Sequence, residues 1–176
     1  MKNMKMRKLA LALGAMALAR GAMAVNTFDA TASITGQCVV STTQGMAFGG
    51  LTMLDATTGR LSTAKNNATA TFDATCTNGG SAPTLKFTST NGGGSAFGML
   101  NQTTLATDVI AYTLFEGGSD SGTAIAHAVD AAFTGFVADG TVNSLSVTGK
   151  VLPADKNGKP IASYSDTVTI TATFVP

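Results

Sequence analysis

Residues 27 to 36 read TFDATASITG, and an extended chain puts Phe28, Ala30, Ala32 and Ile34 on one face and Thr27, Asp29, Thr31, Ser33 and Thr35 on the other. Such regular alternation predicts a strand with one apolar face. It lies close to the start of the chain, where an unpaired segment frays. Its partner therefore has to be sought far along the sequence or in another molecule.

Upstream of it, residues 1 to 24 have the three parts of a secretory signal peptide: a basic leader MKNMKMRK, an apolar run LALALGAMALA (9 to 19), and the small-x-small site Ala22-Met23-Ala24. The run is too short to span a bilayer. Cleavage is expected after Ala24. The leader holds five of the eleven basic residues and none of the ten acidic ones, so the exported chain has six against ten, a net charge of minus 4. With no basic patch left, neither nucleic acid nor an anionic membrane surface is an expected partner.

The remaining residues, 25 to 176, are enough for one domain with a core. They are rich in Thr, Ala and Gly and contain no tryptophan. Strong helix formers are scarce and β-branched residues common, which predicts an all-β chain. Cys38 and Cys76 are the two cysteines. In an exported protein they are expected to form a disulfide, and two cysteines allow one pairing.

Downstream, short alternating segments are separated by Gly, Asn and Ser clusters. CVVST (38 to 42) reads as a strand, and MAFGGLTML (46 to 54) as a strand or bulge interrupted by glycine. ATATFDATC (68 to 76) puts Ala70, Phe72, Ala74 and Cys76 inward, and TLKFTST (84 to 90) does the same with Leu85 and Phe87. VIAYTLFE (109 to 116) is apolar on both faces, as in a central strand. SLSVTGKVL (144 to 152) carries a bulge signal at Gly149, and PADKNGKP (153 to 160) reads as a solvated turn. SDTVTITATFV (165 to 175) mirrors the opening strand, with Val168, Ile170, Ala172 and Phe174 on one face. Strands at this spacing with one bridging disulfide suggest a two-sheet sandwich of immunoglobulin type.

Chemistry-bearing patterns are weak. His127 is the only histidine, so a catalytic triad would have to combine it with Asp120 or Asp130, and no serine sits in a G-x-S-x-G elbow. One histidine and two paired cysteines offer no zinc site. No catalytic residue, metal or cofactor is expected. The sequence points to a structural or binding role.

The signal peptide, the strand running into Cys38, the second cysteine, DVIAYTLFEGG (108 to 118) and the closing Tyr164-Ser165-Asp166-Thr167-Val168 run together resemble the spore coat U family, over essentially all of residues 25 to 176. Its best understood members are the major subunits of archaic chaperone–usher pili in Gram-negative bacteria. The resemblance implies an incomplete immunoglobulin-like β-sandwich, residues 37 to 176, that lacks its last strand. It further implies that residues 25 to 36 form an N-terminal donor strand. Phe28, Ala30, Ala32 and Ile34 would enter the groove of a neighbouring, identical subunit. That groove would be flanked by the first strand of the domain, around Cys38 to Val40 with Val39 lining it, and by Val168, Ile170, Ala172 and Phe174. The implied partners are a periplasmic chaperone, an outer-membrane usher and further pilin subunits. Export through the periplasm to a surface pilus, with adhesion and biofilm growth as its use, follows from the same likeness. The alternative is a self-contained secreted β-sandwich that coats a surface or binds a ligand, in which residues 27 to 36 pair within their own chain.

Overall fold

Alternation in ATATFDATC builds β2 (Asn66–Cys76), whose Phe72, Ala74 and Cys76 are buried while the intervening side chains are only partly so. The computed structural model describes residues 30–79, 82–92, 96–103 and 107–174. The signal peptide and Phe28 lie outside them. The chain divides into two units, Met1–Ser33 and Ile34–Pro176. In the first unit Ala30–Ser33 are exposed and belong to no strand or helix.

The second unit contains β1 (Cys38–Gln44), β2, β3 (Thr84–Ser89), β4 (Phe97–Asn101), β5 (Val109–Glu116), β6 (Ala124–Ile125), β7 (Ala131–Ala132), β8 (Asn143–Val151), α1 (Pro153–Lys156), β9 (Tyr164–Ser165) and β10 (Val168–Thr173). One sheet runs β1-β2-β8-β5-β4-β9 with β6 beside β5, and the other runs β10-β3-β7. Every pairing between these strands is antiparallel. The protein is thus an all-β sandwich of two antiparallel sheets.

Apolar side chains from both inner faces meet between the sheets. Phe72 of β2, Phe87 of β3 and Phe133 of the segment after β7 form a ring cluster with centroids 5.9 to 6.1 Å apart. Edge-to-face contacts of this kind add to the gain from burial. β5 is flanked in its sheet by β8 and β4; one of its faces is buried and the other only partly so. Ile110, Tyr112 and Leu114 fill the core, and on the other face the Lys150 ammonium lies 4.3 Å from the centre of the Phe115 ring.

Three local readings are corrected. Residues 46 to 54 form no strand; Leu54 alone makes an isolated bridge, with Leu61. Gly49 adopts φ +66°, and Met46, Phe48 and Leu51 turn toward the core instead of alternating along a ladder. Gly149 marks no bulge, since β2 and β8 stay in unbroken register from Asn66↔Val151 to Ala74↔Asn143. The irregularity falls in β1, between Thr42 and Gln44. Residues 153 to 160 are more than a solvated turn, because Pro153 starts the single turn of α1 and Lys156 is 0% exposed, its ammonium donating to Asn66 Oδ1.

Candidate functional site

Among the described residues β1 and β10 are end strands, the first bonded only to β2 and the second only to β3. Each therefore has a free edge of backbone donors and acceptors, and the two strands approach one another without pairing. The sheet containing β10 has three strands and cannot cover the wider sheet opposite. What it leaves uncovered is a cleft of about 1350 Å³. Its floor is Ala70 of β2, Met99 of β4, and Ile110, Tyr112 and Leu114 of β5; Val168 and Ile170 form one wall.

Residues expected at the groove divide in the structure. Val168 and Ile170 line the cleft, and Ala172 and Phe174 continue the same half-buried face against the core. Val39 does not join them. It points outward at 66% exposed, and the period of two turns Cys38 and Val40 to the core instead. Cys38 and Cys76 stand directly opposite each other in the β1–β2 ladder and are disulfide-bonded, so the free edge of β1 is tied to the centre of the sandwich. Among the expected donor residues Phe28 is not described, Ala30 and Ala32 are exposed, and Ile34 is 89% exposed and in no strand.

Sequence reading missed a polar cluster in the cleft wall. Asp166, just before β10, lines the cleft with Tyr112. Its Oδ2 accepts from the Tyr112 hydroxyl at 2.6 Å and from Ser89 Oγ at 2.6 Å, and its Oδ1 accepts from the Asn91 backbone at 3.2 Å. Burial first, then the hydrogen bond to Asp166 and its charge, holds the Tyr112 hydroxyl well above its ordinary pKa. The signal was Asp166 amid an otherwise threonine-rich alternating strand, but nothing local named its partners.

The same cluster accounts for His127. Its Nε2 accepts from the Ser89 backbone N–H at 3.0 Å, and its ring meets the Phe97 ring edge-on at 5.2 Å. Asp120 is engaged by Lys65, and Asp130 faces Lys86 at 3.7 Å. The groups a triad would need are thus committed elsewhere. Among the described residues no group of three or more His, Cys, Asp or Glu could hold a metal ion.

Comparison with known proteins adds a family. The model of the Spore Coat Protein U domain matches residues 24–171. No curated protein matches the chain. Among solved structures the chain is similar to the crystal structure of the CsuC-CsuE chaperone–tip adhesion subunit pre-assembly complex from archaic chaperone–usher Csu pili of Acinetobacter baumannii, with 17% identity and a TM-score of 0.47. The match covers 81% of this chain and 40% of that one.

Proposed function

Since the chain belongs to the Spore Coat Protein U domain family, we propose that it is a structural subunit of a surface pilus, the major subunit of its shaft. Subunits join when the N-terminal donor strand of one copy, residues 25–36, enters the cleft of the next. The observation that carries this reading is the pair of edges on β1 and β10, unpaired among the described residues, with an apolar cleft between the sheets. An open strand edge beside uncovered apolar surface invites a strand from another chain.

The inserting face is Phe28, Ala30, Ala32 and Ile34. Burying Phe28 and Ile34 stabilises the joint by about 1.5–3 kcal/mol each, with smaller contributions from the alanines. The backbone ladder supplies the rest of the hold and fixes the register. Before assembly the same edge needs a temporary strand, which a periplasmic chaperone supplies; an outer-membrane usher then carries out the exchange. The fibre serves adhesion and biofilm growth on the surface of a Gram-negative cell. This role is structural, with no catalytic step.

Removing residues 25 to 35 tests the reading. The truncated chain is expected to fold in the periplasm in complex with its chaperone and not to polymerise. Grafting residues 26 to 35 after Pro176 through a flexible linker should give a soluble, self-completed monomer. A full chain that stays monomeric by itself, with a truncated form that collapses, would instead make residues 27–36 a strand of their own sandwich.

A further inference from the structure

The cleft is already partly filled by the chain's own residues. Gly149 lies on the inner side of β8, paired with Ala68 of β2 and with Leu114 of β5, which lines the cleft. Directly above it lie Met46 and Phe48. A Cβ built on Gly149 would come 2.4 Å from Met46 Sδ and 2.6 Å from Phe48 Cζ, so the missing side chain is what makes their seat. Phe48 also meets the Tyr112 ring edge-on, with centroids 5.7 Å apart. Leu51 packs against the same core.

Side chains hold this strap in place. Its flanks are anchored: Ser62 N–H donates to the Met53 carbonyl, and Asp55 Oδ1 caps a turn by accepting from the backbone of Thr57 and Thr58. Among the described residues no backbone–backbone hydrogen bond joins Met46–Leu51 to either sheet. A segment held only by a few half-buried side chains opens more easily than a paired strand.

A strand added to the free edge of β10 extends the small sheet over this part of the large one, because Val168 and Ile170 of β10 line the same cleft as Met46 and Phe48. We propose that residues 45–53 are a placeholder, seated through Met46 and Phe48 on Gly149, which the donor strand of the next copy expels as it enters. The inference rests on the donor-strand reading above and adds a residue-level step to it. In the free subunit the strap covers apolar surface that would otherwise face water. It cannot make the β10 ladder that a donor makes, so the donor displaces it. Donor affinity is reduced by the fraction of time the strap is seated.

The test uses the full chain, isolated as monomer, and a synthetic peptide of residues 26–36. Oxidation of the Met46 thioether by dilute peroxide, which reads whether that side chain is seated, is timed with and without peptide, and peptide capture is timed for the native chain and for Phe48→Ala. Met46 oxidation is expected to speed up when peptide binds. Phe48→Ala should capture peptide roughly tenfold faster, the effect of raising the open fraction by that factor. Gly149→Ala, which leaves the strap's own side chains intact, should speed Met46 oxidation before any peptide is added. Peptide capture with an unchanged strap, or equal capture rates in the native chain and Phe48→Ala, overturns the placeholder and leaves the donor strand standing. Failure of every form to capture peptide overturns the donor-strand reading, and the placeholder with it.

Discussion

The Tyr112 hydroxyl donates to Asp166 Oδ2 at 2.6 Å, joining the middle of β5 to the start of β10 across 54 residues of sequence. Tyr112 is buried, so the pKa of its hydroxyl is raised above the ordinary value of 10.0. The unfolded chain then loses this proton at lower pH than the folded one does. The stabilisation is full below pH 10 and falls as pH rises above it. Urea unfolding from pH 8 to 11 should show stability dropping at the alkaline end, with a shallower drop in Tyr112→Phe.

Asp166→Ala removes the acceptor shared by Tyr112, Ser89 and Asn91. Buried donors left unsatisfied cost about 1–3 kcal/mol each. Unfolding of Asp166→Ala is expected to lie about 3 kcal/mol below the native chain, partial because water reaches the half-buried site. Double-mutant cycles with Tyr112→Phe should show strong coupling.

Replacing both Cys38 and Cys76 by Ser removes a cross-link spanning 38 residues. On the chain-entropy account this costs about 4 kcal/mol. Chemical denaturation with and without reductant measures it: the native chain should lose stability on reduction, and the double variant should be indifferent to it.

Lys156 is fully buried with its ammonium on the side-chain oxygen of Asn66. Lys156→Met keeps the stem and removes the charge. Relief of the buried charge is offset by the Asn66 oxygen left without its donor, so Lys156→Met is expected to change stability little. Asn66→Ala, which leaves the charge behind, should destabilise by at least 1–3 kcal/mol. Thermal melts of the two variants should differ clearly in the size of their shift.

Phe28→Asp places a carboxylate on the inserting face of the donor strand. A charge without a partner in a dry cleft costs several kcal/mol. Polymer length, followed by light scattering, should fall sharply in this variant while the folded subunit keeps its native melting temperature. Long polymers from Phe28→Asp would remove this side chain from the joint.

The sequence by itself determined the longer strands β1, β2, β3, β5, β8 and β10, because alternation at a period of two is a local property. ATATFDATC and TLKFTST each placed their inward residues on the right face. Two cysteines left one pairing, and that pairing is present. Val168, Ile170, Ala172 and Phe174 were legible as one face for the same reason. Val39 was misplaced by one residue, and in a strand one residue is the difference between the core and water.

Only the tertiary structure decided the rest. Nothing near Asp166 in sequence announces Tyr112 or Ser89, and nothing in PADKNGKP tells that Lys156 is sealed under the sandwich. Gly149 has the composition of a bulge yet serves as a seat for Met46 and Phe48, which a pattern of two cannot reveal because the contact joins a strand to a segment with no period. The cleft itself arises from a count made across sheets: three strands on one side cannot cover the wider sheet on the other. Periodicity assigns each side chain to a face, but which faces meet, and where they leave apolar surface open, depends on contacts between residues far apart in the chain.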